Sequence, residues 1–286
     1  MTGTAYYDLS KNPPSFNFVD FLLVAESWCI ARGIGAGNLT VAVLPGPRDG
    51  FRNDALPPYG KEERMRWLEN IVLPMPILLP SCGRPAILGD IPPERQHFGR
   101  GEYPIGLRIL TRAARENIYP FRAPPDLVAA ARAKYGEKYV TITERNTGWW
   151  IERTTNLEEW RIVARELEKV GYRVVLIPDG TKADRPIDGF TTDPEAGCKV
   201  LPRAALYAGA AMNFGIPSGP MWLAMFMGAP LIMCKMLTNE PPTMTGSFTA
   251  AGIPPGSQMP NARPRQRFLW GPEKATDILD AFAKIA

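Results

Sequence analysis

The chain has 286 residues, 45% hydrophobic and 22% charged, with a formal net charge of +4; this is a globular composition with room for two ordinary domains. So small a charge, with no run of Lys and Arg interleaved with aromatics, argues against a nucleic-acid partner. The cysteines Cys29, Cys82, Cys198 and Cys234 are scattered without a C-x-x-C pair, which argues against a disulfide framework or a zinc centre, and the first residues lack the basic start and apolar stretch of a signal peptide, so a reduced, cytoplasmic protein is expected.

In chain order, Ala5-Tyr6-Tyr7-Asp8-Leu9 is predicted as a first strand, and Phe18, Phe21, Leu22, Ala25, Trp28 and Cys29 as the buried stripe of a helix. Gly33-Ile34-Gly35-Ala36-Gly37 has the look of a dinucleotide fingerprint, but it follows a helix and precedes a strand, the reverse of what that motif requires. A helix C-cap and turn is the better account. Leu39-Thr40-Val41-Ala42-Val43-Leu44 reads as a second strand, 64–72 as a helix and Ile77-Leu78-Leu79 as a third strand. The 30 prolines, against an average usage of about 5%, gather in 45–80 and 241–264, which read as long ordered loops. Pro120, Pro124 and Pro125 mark a linker, giving domains 1–124 and 125–286.

The second half is the more regular. Tyr139-Val140-Thr141-Ile142-Thr143 is a β-branched strand, and Trp160, Val163, Ala164, Leu167 and Val170 then fall on one helix face, with Asn156 as N-cap and Gly171 as stop. Arg173-Val174-Val175-Leu176-Ile177 is the next strand, ending in the turn Pro178-Asp179-Gly180. Residues 204–234 carry no charged side chain. That length invites a transmembrane reading, but Pro217-Ser218-Gly219-Pro220 and Gly228-Ala229-Pro230 divide it into strand, short helix and strand, a buried βαβ unit. The order predicts a parallel, Rossmann-like sheet, and 272–285 close the chain as an amphipathic helix.

Chemistry in such a sheet belongs at the carboxyl ends of the strands. Ser218 and Gly219 there open a helix whose first amides favour anions. Arg145 ends the first strand of the second domain, where a guanidinium can fork onto a diphosphate or stand as a solvated loop charge, with Glu144 and Arg153 the lesser candidates beside it. Asp179 either accepts a ribose hydroxyl or makes its turn, and Lys235 either reaches the same edge or snorkels from it. In the first domain His97 is the only ring base, and Asp8, Asp20 and Asp90 are carboxylates that could replace it. No multi-histidine metal site is possible, and the common hydrolase, zinc-protease and P-loop signatures are missing.

The run 205–235, with Ala208-Gly209-Ala210, Gly215-Ile216-Pro217-Ser218-Gly219-Pro220 and Met227-Gly228-Ala229-Pro230-Leu231-Ile232, resembles the donor half of B-type glycosyltransferases, in particular their heptosyltransferase and fucosyltransferase-like branches. Thr143-Glu144-Arg145, Asn156-Leu157-Glu158-Glu159-Trp160 and Gly171-Tyr172-Arg173-Val174-Val175 are similar to the start of that domain. The sequence departs from the fucosyltransferase pattern in having no His before the strand-end arginine. The resemblance, over 138–286, implies an α/β protein of two Rossmann-like domains with parallel sheets facing across a cleft. It also implies a nucleotide-diphosphate sugar as donor substrate, with neither metal nor other cofactor, and a glycan or small molecule as acceptor. Arg145 and the Ser218-Gly219 amides would then stabilise the departing diphosphate, with Glu144, Asp179 and Lys235 beside them, and His97, Asp8 or Asp90 would deprotonate the acceptor hydroxyl. Two other readings stay open: a non-catalytic nucleotide- or glycan-binding module of the same fold, and a sugar-nucleotide epimerase.

Overall fold

The computed structural model describes residues 1–52, 60–90, 97–99, 106–146, 150–180 and 183–285. The chain divides into two units, one of Met1–Ala113 with Pro120–Arg122, the other of Ala114–Tyr119 with Ala123–Ala286.

In unit 1, β1 (Gly3–Asp8) and β2 (Leu39–Leu44) pair in parallel over their whole length, from Gly3 opposite Leu39 to Asp8 opposite Leu44. The crossover is α1 (Phe18–Arg32), which ends at Gly33 in the left-handed conformation, φ 65°, its amide returned to Cys29 and Ile30. The glycine-rich run is therefore a helix stop. After α2 (Lys61–Trp67) and one wider turn, Leu68–Val72, the expected third strand is instead a 3₁₀ turn, Met75–Leu78. Pro74 and Pro76 fix φ and withdraw amide donors, so an apolar run there cannot join a ladder. The outer strands are β3 (Ile87–Leu88) beside β2 and β4 (His97–Phe98) beside β1, giving the parallel order β3-β2-β1-β4. Tyr7, Phe18, Phe21 and Phe98 pack edge-on and stacked between sheet and α1. α3 (Leu107–Arg115) leads out of the unit.

In unit 2, α4 (Pro125–Tyr135), β5 (Tyr139–Asn146), α5 (Leu157–Lys169), β6 (Arg173–Gly180), β7 (Thr191–Thr192), α6 (Pro194–Cys198) and α7 (Val200–Gly209) are followed by β8 (Met212–Gly215), α8 (Gly219–Phe226), β9 (Leu231–Met233), α9 (Thr245–Ala250), β10 (Gln266–Phe268) and α10 (Ala275–Ala283). Six parallel strands run β10-β9-β8-β5-β6-β7. Strand alternation sends Val140 and Ile142 into an apolar core with Trp160, Val163 and Leu167 of α5 and Ile278 and Phe282 of α10. Thr141 and Thr143 go the other way, where Thr141 donates to Asn213 and Thr143 meets the Tyr207 hydroxyl at 2.8 Å.

The stretch 204–234 is the β8-α8-β9 unit, with every residue of α8 from Pro220 to Phe226 buried. Among the described residues no helix is long and apolar enough to cross a membrane. α8 lies close against the strand before it: a Cβ on Gly215 would come within 2.7 Å of the Met221 sulfur.

Candidate functional site

The carboxyl ends of β5, β8 and β9 bring together residues far apart in sequence. At the end of β5 the Arg145 amide donates to Thr155 Oγ1 at 2.8 Å, and the Thr155 amide returns a bond to the Arg145 carbonyl. That clip folds the 3₁₀ turn Ile151–Arg153 back over the sheet edge. Arg153 then lies across the β8–α8 joint. Its Nη2 donates to the Pro217 carbonyl at 2.9 Å and its Nη1 to the Pro241 carbonyl at 3.3 Å, while its guanidinium stands 4.9 Å from the Trp150 ring centre.

Arg153 is 6% exposed and its Nε has no partner. Burial first, and the positive charge of Arg145 second, push its pKa down to about 9, against a smaller opposite pull from Glu240. A buried guanidinium satisfied by two carbonyls, with a second guanidinium nearby, is an electropositive site with unspent donors.

Ser218 occupies the N-cap position of α8, with φ −154° and ψ 161°, but its side chain makes no cap bond. Its Oγ is buried without a partner. Ser218 therefore caps α8 by backbone position only. The first-turn amides of α8 have no helical acceptors, and Pro220 contributes none.

The other sequence-derived residues of this edge are drawn into brace networks. Asp179 accepts from Arg203 Nη1 at 2.9 Å, and the fully buried Arg203 also donates to the carbonyls of Pro178, Ala196 and Gly197. Lys235, at φ 51°, donates to the Thr154 carbonyl and pairs with Glu273 at 3.3 Å. Glu273 itself accepts from Trp160 Nε1 and the Asn156 amide, so Asn156 opens α5 through its backbone, with no side-chain cap. Glu144 is buried on the sheet face opposite to Arg145.

In unit 1, Asp8 ends β1 and its carboxylate accepts from the Ser10 amide at 2.8 Å. Asp90 is exposed just beyond β3. His97 is exposed in β4 and pairs with Thr4, near the amino end of β1 rather than its carboxyl end. Asp20, in the first turn of α1, is the carboxylate the environment singles out. It is 6% exposed, accepts from the Gly106 amide at 2.6 Å, and burial raises its pKa to about 7, the Gly106 bond opposing. Its charge adds to the burial that raises the Tyr7 hydroxyl. A signal for it existed: Asp20 interrupts a helical run in which Phe18, Val19, Phe21, Leu22 and Leu23 are all buried. Among the described residues no three His, Cys, Asp or Glu side chains are grouped as a metal site would need.

No protein-family model matches the chain, and no curated protein does. Among solved structures it is similar to a glycosyl transferase of family 9 from Veillonella parvula, at 12% identity over 99% of this chain and 90% of that one, with a TM-score of 0.47. It is also similar to the iron-containing dodecameric glycosyltransferase TibC of enterotoxigenic E. coli, at 17% identity over 82% and 58% of the two chains, TM-score 0.43. A third is the ADP-heptose lipopolysaccharide heptosyltransferase II of E. coli, at 12% identity over 99% and 76%, TM-score 0.41.

Proposed function

We propose that the protein is a glycosyltransferase that moves a sugar from a nucleotide-diphosphate sugar to an acceptor hydroxyl without a metal ion. The observation that carries this reading is Arg153: a buried guanidinium with an unspent donor, close to Arg145 and hydrogen-bonded to the joint that opens α8. Diphosphate is the ligand such a site suits, because forked donors and helix amides both address its oxygens.

In the reaction the acceptor oxygen forms a bond to the anomeric carbon as the bond from that carbon to the diphosphate oxygen breaks. Charge grows on the leaving diphosphate, where Arg145, Arg153 and the amide of Gly219 oppose it. The acceptor proton passes to a carboxylate of unit 1. Asp20 is the carboxylate we assign to that task, because burial raises its pKa to about 7 and a base poised near neutral pH is the effective one.

The test is a melting series with common nucleoside diphosphates in the presence of EDTA, followed by nucleoside diphosphate release from the corresponding sugars. At a ligand concentration of about 100 times Kd the stabilisation is about 2.7 kcal/mol. The reading fails if no nucleoside diphosphate at millimolar concentration raises the melting temperature. Binding without turnover would favour the non-catalytic module.

A further inference from the structure

Residues 237–244, between β9 and α9, form a strap with its own internal bonding. The Thr238 amide donates to the Thr243 carbonyl, the Thr243 amide to the Glu240 carbonyl, and the Glu240 amide to Thr238 Oγ1. The strap is latched to the turn that carries Arg153. Glu152 accepts from both the amide and the side-chain nitrogen of Asn239, at 2.8 and 3.1 Å, and its own amide donates to Glu240 Oε1 at 3.4 Å. Since Arg153 bonds Pro241 with one terminal nitrogen and Pro217 with the other, the strap lies within one guanidinium of the α8 joint.

Three buried polar atoms in this cluster have no partner: Arg153 Nε, Ser218 Oγ and Glu240 Oε2. Glu240 and Arg153 attract each other through space without closing into an ion pair. A buried acceptor and a buried donor of opposite charge, both left unmade, carry a cost that folding alone does not repay. A rigid anion under the strap could take the donors of Arg153 and Ser218 together.

We propose that Glu240 is a built-in occupant of the anion site: with the strap latched, its carboxylate partly neutralises Arg153, and an incoming anionic ligand displaces it. This rests on reading Arg145, Arg153 and Ser218 as the diphosphate site. Glu240 therefore sets a threshold, turning away weakly held anions and admitting those that engage Arg153, Ser218 and the α8 amides at once.

The experiment is calorimetric titration of inorganic pyrophosphate into the full chain at low salt, comparing the parent with Glu240→Gln. Glutamine keeps the shape and the acceptor for the Glu152 amide while removing the charge. Glu240→Gln should bind about tenfold more tightly, the scale of one like charge removed from a partly buried site. In an Arg153→Ala background the same substitution should gain little, a coupling that a merely structural role would not produce. Glu152→Ala, which frees the strap without touching Arg153, should also bind more tightly. If pyrophosphate binds parent and Glu240→Gln equally, or the variant more weakly, the built-in occupant is overturned while the anion site stands. Should it bind neither, the anion site itself falls, and this role for Glu240 with it.

Discussion

The carboxyl edges of the two sheets are built from the same β-α-β grammar, and each buries an ionisable group, a guanidinium in one and a carboxyl in the other. In unit 2 the edge holds Arg145 and Arg153 at a helix start, while in unit 1 the corresponding helix start holds a single buried acid, Asp20. Both edges keep an ionisable group where burial disfavours its charge, lowering Arg153 and raising Asp20. Burial of that kind contributes nothing to stability, and such shifts gather at functional sites. In the proposed reaction the leaving anion falls to the cationic group and the acceptor proton to the acid, and substitution tests each unit by itself.

The largest effect is expected on the acidic side. Asp20→Asn should lower kcat by about 10²- to 10⁴-fold, the range of a lost general base, with nucleotide affinity unchanged. The same substitution should stabilise the fold. Because the folded pKa, about 7, lies above the unfolded value of about 4, the folded state binds the proton more tightly, and stability falls as pH rises between those values. Asn removes that liability while its carbonyl still accepts from Gly106. The gain, at most about 4 kcal/mol, should be complete above pH 7 and vanish below about pH 4. Melting curves at pH 4, 6 and 8 beside a turnover assay check both signs. A variant less stable at pH 8 would mean Asp20 is a structural latch for Gly106.

On the cationic side the effect on function should be smaller and lie in binding, while Arg153→Ala also costs stability through the Pro217 and Pro241 carbonyls it leaves without a donor. Arg153→Ala should weaken nucleoside diphosphate binding by about 30- to 100-fold, on the scale of a charge-assisted hydrogen bond or two. Arg153→Lys should recover only part of it, because an ammonium cannot hold two carbonyls and a phosphate in one plane. Arg145→Ala should cost less affinity and leave the melting temperature nearly unchanged, its side chain being partly open to water. Titration of each variant with the best-bound nucleoside diphosphate decides the order. Parent-like affinity in Arg153→Ala would leave unit 2 without the function proposed for it.

How much of this was legible in the sequence follows from where each residue's partners lie. Strands β5, β6, β8 and β9 were readable because a sheet covered on both faces writes continuous apolar runs. The outer strands of unit 1 were not: Ile87–Leu88 and His97–Phe98 are two residues each, too short to show a period, while the apolar Ile77-Leu78-Leu79 run was vetoed by its prolines. Arg145 and Ser218 could be placed because strand ends and helix starts are local features. Arg153 could be placed only below Arg145, and Glu240 not singled out at all, since their significance comes from a clip at Thr155 and a latch at Glu152. Asp179 and Lys235 looked available for the opposite reason: their partners Arg203 and Glu273 lie 24 and 38 residues further on.

Ser218 gives the smallest and most discriminating test. As a side-chain N-cap its loss would cost about 1 kcal/mol of stability, but no such bond exists here, and its Oγ is buried without a partner. Ser218→Ala should therefore leave the ligand-free protein as stable as the parent or slightly more so, since it removes a desolvated hydroxyl and no hydrogen bond. With nucleoside diphosphate bound, the hydroxyl has an anion to donate to, and the variant should lose a few-fold in affinity while the α8 amides remain. The signature is a substitution neutral in the empty protein and costly in the filled one, read by melting curves with and without ligand. A loss of stability without ligand would mean that Ser218 caps α8 in solution, and the cationic edge would then offer its ligand one donor fewer.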